Sequence, residues 1–284
     1  MSQKKDSEPD VIGYWSEVKL KILEEYSAAY ATILNAQSHI KHVAYIDGFA
    51  GAGEHVSEVT GKPVEGSPAI ALKHKFSHYH FIDLNKTKTE QLQELATGNP
   101  DVTVHNEDCN TVLLDKIFPT CRYDNFCRAL CLLDPYNLNP NWKVMETAGQ
   151  MRSIEIFHNF MIMDGNMNVF CDSPDQVLPA QAKRMTDFWG DDSWKEECYT
   201  SQVDLFNNII KKRSNEEIVE AYRNRLKRLA KFQYVPEPIP MKNSKGSIMY
   251  YLFFASNNKT GAKIADAIFK KYKTKGIYVP EFGH

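Results

Sequence analysis

A glycine-rich turn is the first part of this 284-residue sequence that could do chemistry. It reads Asp47-Gly48-Phe49-Ala50-Gly51-Ala52-Gly53 and follows a predicted strand. Glycines let the backbone bend sharply and approach a ligand closely, because no Cβ intervenes. Ligands of open α/β sheets bind outside the carboxyl ends of the strands. The turn therefore indicates a ligand site, and a plain turn between two elements is the alternative.

Acidic residues follow the next two predicted strands. Asp83-Leu84 ends the second strand, where a carboxylate can accept hydrogen bonds from both hydroxyls of a ribose. Asp108-Cys109 follows the third strand, where Asp108 could accept from an adenine amino group and the next backbone N–H could serve a ring nitrogen. An aspartate at a strand end often only caps a loop. Their order along one sheet edge favours an adenosine site.

The spacing of the glycines bears on which adenosine cofactor is bound. NAD sites use G-x-G-x-x-G opening directly into a helix, with an acid about 20 residues further on. Here the order is G-x-x-G-x-G, Asp83 stands further than that beyond Gly53, and a loop predicted over residues 54–66 separates the turn from the next helix. These features favour S-adenosylmethionine, which has no pyrophosphate. A nicotinamide-dependent oxidoreductase remains an alternative.

The fourth predicted strand ends in Asp134-Pro135-Tyr136. This tripeptide resembles the D-P-P-Y signature of amino-methyltransferases, with one proline missing. In that signature the acid and the proline carbonyl accept hydrogen bonds from the target NH2, and the aromatic ring stacks on the acceptor base. Positioning the nitrogen in line supplies most of the rate. The alternative is that the proline simply ends the strand, since it cannot continue a ladder.

Alternating elements position these residues. Strands predicted over 42–49, 78–84, 102–105, 129–133 and 154–163 alternate with helices, which is typical of an α/β fold with a mostly parallel sheet and helices on both faces. An N-terminal helix is predicted over 11–37, with an apolar stripe of Val18, Ile22, Ala29 and Ile33. Residues 172–235 are predicted to form a helical insertion before the closing strands, within a single domain over 1–284.

Composition excludes several classes of protein. Apolar residues make up 43% and charged residues 25%, so the chain is neither disordered nor fibrous. The net charge of −2 excludes nucleic-acid binding by bulk charge. No apolar run approaches the roughly 20 residues of a membrane span, and no secretory signal is evident, so we expect no membrane association and a cytoplasmic protein. Six cysteines then predict reduced thiols.

Two other groups of residues are candidate sites. Cys121, Cys127 and Cys131 lack the spacing of a zinc site, and we predict buried thiols and no metal. The basic stretches over 211–213 and 222–228 are predicted to form an amphipathic helical region, which could contact a phosphate backbone or could be a solvated helix face.

Several segments together resemble the family of three-Cys-motif partner proteins (TcmP), a methyltransferase-like group. They are residues 14–20, 45–51, 65–68, 81–85, 106–110, 133–136, 249–256 and 261–264. The resemblance implies a Rossmann-like class I methyltransferase fold with a central, mostly parallel seven-stranded sheet. It also implies S-adenosylmethionine as cofactor and a partner protein carrying the three-cysteine motif.

The same resemblance assigns roles to residues. Asp47, Gly48, Phe49, Ala50, Gly51 and Gly53 would line the methionine end of the cofactor. Asp83 and Leu84 would hold the ribose, Asp108 and Cys109 the adenine, and Asp134, Pro135 and Tyr136 the acceptor. Trp15, Ser16 and Lys19 would close the methionine side or, alternatively, pack across the sheet.

Two functions follow as hypotheses. The first is an enzyme that transfers a methyl group from S-adenosylmethionine to an exocyclic amine, with a nucleobase in DNA or RNA as the expected substrate. The second is a cofactor-binding or catalytically weak partner subunit of a three-Cys-motif protein, which the departure from D-P-P-Y keeps open.

Overall fold

A computed structural model describes residues 9–203 and 208–274. The strands are β1 (Asp10–Ile12), β2 (His42–Asp47), β3 (Glu54–Ser57), β4 (Pro63–Glu65), β5 (His78–Ile82), β6 (Val102–His105), β7 (Cys127–Leu133), β8 (Ile154–Phe160), β9 (Tyr199–Val203), β10 (Asn208–Lys212), β11 (Ile239–Lys242) and β12 (Ile248–Ala255). The helices are α1 (Tyr14–Asn35), α2 (Ser67–Leu72), α3 (Lys86–Leu95), α4 (Cys109–Val112, continued by a π-helical turn over Leu113–Ile117), α5 (Trp142–Met151), α6 (Ile162–Asn168), α7 (Pro179–Trp189), α8 (Trp194–Glu197), α9 (Asn215–Arg228) and α10 (Lys259–Thr274).

A seven-stranded sheet forms the centre, in the order β11-β12-β8-β7-β2-β5-β6. The strands from β8 to β6 are parallel, and β12 runs antiparallel to both of its neighbours. The prediction of an α/β fold with a mostly parallel sheet is confirmed. The strand order reverses at β2, because β5 and β6 extend the sheet on one side of it and the later strands β7 and β8 extend it on the other side. Such a switch point opens a crevice at the carboxyl ends of the strands.

The central strands are buried because both faces of the sheet are covered. Every residue of β8 is buried, and so is every residue of β2 except His42. Continuous burial is typical of parallel strands with helices on both sides. Two hydrophobic clusters result, one on each face of the sheet.

Helix α1 packs on the sheet with a different face from the predicted one. Ile22 is buried, but Ile33 is exposed, and the buried face includes Lys19 and Tyr26. The Tyr26 hydroxyl donates a hydrogen bond to Glu155 of β8, and burial raises the pKa of that carboxyl to about 7. The helix starts at Tyr14, where the helical pattern of the sequence begins, and the wider predicted range from residue 11 includes two residues of β1.

A small second sheet covers the glycine turn. Its order is β1-β3-β4, with β1 parallel to β3 and β3 antiparallel to β4. The segment predicted as a loop over 54–66 therefore contains a hairpin. The prediction that this segment separates the turn from the next helix is confirmed, since α2 begins only at Ser67.

The segment over 172–235 contains the helices α7, α8 and α9 and, in addition, the antiparallel pair β9 and β10. The two strands depart from the predicted all-helical insertion. Arg225 of α9 is buried, donates to the carbonyl of Trp189 at 2.5 Å and pairs with Asp191 at 2.5 Å. It therefore ties α9 to the turn after α7. Both interpretations of this residue, phosphate contact and solvated face, were wrong.

Within the described ranges, no helix has both the length and the apolar character that a bilayer crossing requires. The six cysteines are free thiols, and Cys121, Cys127 and Cys131 are buried.

Candidate functional site

A cleft of about 850 Å³ opens at the carboxyl ends of the central strands. It brings together the glycine turn after β2 and the acidic residues that follow β5, β6 and β7. The predicted site residues that line it are Gly48, Phe49, Ala50, Gly51, Asp83, Leu84, Asp108, Cys109, Asp134, Pro135 and Tyr136. Two predicted residues, Asp47 and Gly53, are not part of its lining.

Two positions of the turn favour glycine for different physical reasons. A Cβ on Gly48 would lie 2.6 Å from the Cys109 sulfur and 2.8 Å from a methyl carbon of Leu133, so only glycine fits between β7 and α4. Gly51 adopts a φ of +64°, and its surroundings are open. L-residues rarely adopt such a conformation. Its backbone faces the cleft without a side chain in the way, as close contact with a ligand requires.

Asp47 and Gly53 support the turn from behind. Asp47 is fully buried, and one of its oxygens accepts a hydrogen bond from Phe49 N at 3.2 Å. Burial raises the pKa of this carboxyl to about 7. The Gly53 carbonyl accepts from Gly66 N at 2.8 Å, which fixes the base of the hairpin. Both residues thus stabilise the turn from outside the lining of the cleft. One oxygen of Asp47 is buried without a hydrogen-bond partner among the described residues, and the contact of both residues with a cofactor stays a prediction.

Asp83 joins the turn to the second strand end. Its two oxygens accept hydrogen bonds from Gly51 N at 3.0 Å and from Asn85 N at 2.8 Å. A carboxylate has about four lone-pair sites, so each oxygen can accept one further bond. Asp83 is thus held rigidly and can still bind a pair of hydroxyls.

Asp108 begins α4. One oxygen accepts from the backbone N–H of Thr111 at 3.0 Å and from the Thr111 hydroxyl at 3.2 Å. This arrangement is a helix N-cap. The side chain is exposed, and its second oxygen keeps its lone pairs for a ligand. Capping and ligand binding are therefore compatible at this position, and neither interpretation excludes the other.

Asp134 is held by two partners. Lys19 of α1 forms an ion pair with one oxygen, and the amide of Asn159 on β8 donates to the other. The Lys19 side chain is only 8% exposed, against 27% for Asp134. Lys19 thus both packs across the sheet and reaches the cleft. Sequence reasoning missed Asn159, which with Glu155 and His158 is one of three polar residues in the buried strand β8.

Tyr136 lines the cleft and contacts residues of β1 and α3. Its hydroxyl donates to Asp10 of β1 at 3.1 Å, and Lys88 of α3 pairs with the same carboxylate at 2.7 Å. The Lys88 ammonium also lies 5.7 Å from the centre of the Tyr136 ring. Even so, Tyr136 is 75% exposed. Sequence reasoning missed Asp10 and Lys88, because nothing local connects β1, α3 and the end of β7.

Unpartnered polar atoms in the cleft test whether a polar ligand fits. His55 Nδ1 and Asn137 Oδ1 are buried, belong to lining residues and have no hydrogen-bond partner among the residues described. Buried polar atoms are normally hydrogen-bonded. A ligand with donors and acceptors, such as S-adenosylmethionine, would satisfy them. In the same part of the chain, no group of three His, Cys, Asp or Glu side chains is arranged to hold a metal ion.

No protein-family model matches the sequence, and no curated protein matches it. Among solved structures, it is similar to LPL1258 of Legionella pneumophila str. Philadelphia 1, a DUF519 protein, at 10% identity, covering 90% of this chain and 93% of that one with a TM-score of 0.51. This likeness shows a shared fold. Two further solved structures have lower TM-scores and carry no further argument. One is a methyltransferase candidate of Thermobifida fusca YX, at 13% identity, covering 85% of this chain and 80% of that one with a TM-score of 0.39. The other is the CurJ carbon methyltransferase, at 12% identity, covering 82% of this chain and 54% of that one with a TM-score of 0.38.

Proposed function

We propose that this protein is an S-adenosylmethionine-dependent methyltransferase that acts on an exocyclic amine of a nucleobase in DNA or RNA. The observation that supports the proposal is the single cleft at the switch point of the sheet, which collects the glycine turn and all three acidic strand ends. Open α/β sheets bind their ligands at this place.

Different residues would hold the two ends of the cofactor. When bound, S-adenosylmethionine supplies an electrophilic methyl group on a sulfonium. The backbone of Gly51 allows close approach at the methionine end, and the packing of Gly48 between Cys109 and Leu133 fixes the start of the turn. Asp83 has the free lone pairs to accept from the ribose hydroxyls, and Asp108 to accept from the adenine amino group.

The acceptor side rests on the end of β7. Asp134 bonds to Lys19 and Asn159, and it keeps a further lone pair on each oxygen, so it can accept from a target NH2. The Pro135 carbonyl offers a second acceptor. These two bonds would orient the nitrogen lone pair, and Tyr136 offers an exposed ring on which a base can stack. Orientation of this kind supplies rate without acid–base chemistry.

Calorimetry tests the cofactor half of the proposal. We expect heat on titrating S-adenosylmethionine into the wild-type protein, and binding about tenfold or more weaker in Asp83→Ala, which loses charge-assisted hydrogen bonds. Asp101→Ala is the matched control, because Asp101 is exposed and lies at the amino end of β6, whereas the cleft lies at the carboxyl ends of the strands. Absence of heat with the wild type contradicts the proposal.

The second candidate is a cofactor-binding partner subunit of a three-Cys-motif protein with little catalysis of its own. Two observations favour it. Each oxygen of Asp134 already bonds to a side chain of the protein, Lys19 or Asn159, and the second proline of D-P-P-Y is missing. Labelled methyl transfer to DNA and to RNA separates the two. Transfer by the wild type that Asp134→Ala loses supports the enzyme, whereas cofactor binding without transfer supports the partner subunit.

A further inference from the structure

We propose that the protein has a second ligand site, a cleft that binds the phosphate of a nucleotide unit. It lies at the amino ends of the central strands, at the other end of β7 from Asp134. The cleft has a volume of about 690 Å³, within the range of small-molecule sites. Arg122 and Tyr123, which precede β7, and Arg152, which precedes β8, line it. Because β7 and β8 are parallel, these residues lie at the amino ends of strands whose carboxyl ends face the first cleft.

Two guanidinium groups are available in this cleft. Arg122 and Arg152 are exposed, and neither forms an ion pair with any residue in the described part of the chain. Asp124 is the single carboxylate among the lining residues. A guanidinium presents a planar fork of donors that matches a phosphate, and it is weakly hydrated for a cation. Two of them at one cleft favour an anionic ligand.

The backbone supports a role for Arg152 in particular. It ends α5 with a φ of 62°, in the left-handed region where glycine is the usual residue. Its N–H bonds to the Ala148 carbonyl at 3.3 Å, so the turn itself needs no side chain. Arg152 thus lines the cleft from a backbone position that glycine would adopt more easily.

An aromatic ring and polar groups complete the cleft. Tyr123 is exposed, and the Arg128 guanidinium lies 3.6 Å from the centre of its ring, which holds the ring in place. Thr147 and Gln150 add hydrogen-bonding groups on α5. An aromatic ring and two guanidinium groups in the lining of one cleft suit a nucleobase joined to a phosphate. The ligand is therefore a nucleotide, either free or within a single strand.

Binding measurements test this proposal independently of the proposed function. The probes are inorganic phosphate, thymidine monophosphate and a fluorescein-labelled oligothymidylate, which lack both the adenosine and the exocyclic amine expected in the first cleft. We expect Arg122→Gln/Arg152→Gln to weaken binding of the preferred probe by about tenfold or more, and to flatten its salt dependence. Preference for the monophosphate indicates a free nucleotide, and preference for the oligonucleotide a single strand.

Matched variants separate a ligand site from a structural role. Lys245→Gln/Lys263→Gln removes two exposed positive charges outside both clefts and should bind as the wild type does. Arg152→Gly relieves the left-handed backbone, so it should retain or raise the Tm while binding weakens. S-adenosylmethionine binding should not change in any of these variants. Wild-type affinity of Arg122→Gln/Arg152→Gln for the preferred probe, or absence of binding by all three probes to the wild type, overturns the proposal.

Discussion

The ion pair between Lys19 and Asp134 joins the first helix of the chain to the end of β7, and its strength can be measured. Lys19 is the more buried partner, with a side chain 8% exposed against 27% for Asp134. Removal of one member of a buried pair leaves the other charge uncompensated, which costs about 3–5 kcal/mol when both are fully buried. This cost is smaller when Asp134 is the charge that remains, because its side chain is partly exposed to water.

We therefore expect the two single variants to differ. Asp134→Asn leaves the buried ammonium without its partner and should lower the free energy of unfolding by about 3 kcal/mol. Lys19→Met leaves the partly exposed carboxylate, still bonded to Asn159, and should cost about 2 kcal/mol. Urea unfolding of both variants and of the double variant completes a cycle whose coupling should exceed about 1 kcal/mol.

The control cycle uses the pair of Lys73 and Glu65, whose side chains are 43% and 57% exposed. Surface pairs contribute about 0–1 kcal/mol, so this coupling should be smaller. If the Lys19 cycle yields no more than the control, the ion pair does not hold α1 over the cleft. The reasoning about how Asp134 is positioned would then be refuted.

Two further predictions concern other buried charges. The folded-state pKa of Asp47, about 7, lies above its ordinary value of 3.8, so the unfolded state ionises first and stability falls as pH rises between these values. The Tm of Asp47→Asn should therefore exceed that of the wild type at about pH 8, and the difference should disappear by about pH 4. A difference in Tm that stays the same at every pH would contradict this prediction. Arg225→Met loses its bonds to Trp189 and Asp191 and should cost about 2–4 kcal/mol in urea unfolding without changing cofactor affinity, while the exposed control Arg228→Met should stay within about 0.5 kcal/mol. A cost for Arg225→Met as small as that of the control would show that this clamp is not needed.

Local chemistry made most of the fold and the strand-end residues predictable. A buried strand followed by glycines, and aspartates after the next strands, are signals contained within a few residues. The order of strands and helices then places those ends at one edge. For this reason Gly48, Asp83, Asp108 and Asp134 could be placed at one sheet edge before any coordinates were known.

Pairings between distant residues could not be predicted in this way. Lys19 and Asp134 are 115 positions apart, and nothing in either neighbourhood specifies the other. The same holds for β1, three residues long, which pairs with β3 only because the glycine turn brings the hairpin there. The stripe on α1 was misassigned because it was centred on Ile22 and Ile33, whereas the real contact face includes Lys19 and Tyr26.

The position of α1 in the chain has a consequence for synthesis on the ribosome. Its residues are translated before those of β8 and α10, yet Tyr26 bonds to Glu155, and Glu25 is contacted by Tyr272 at 2.7 Å and Lys271 at 2.5 Å. Part of the apolar side of this helix can pack early against β2, α2 and Phe76, but the part that meets β8 and α10 has no native surface to cover it until those elements have been translated. Nascent chains at intermediate lengths expose that part, and this is the interval in which we expect chaperones to bind.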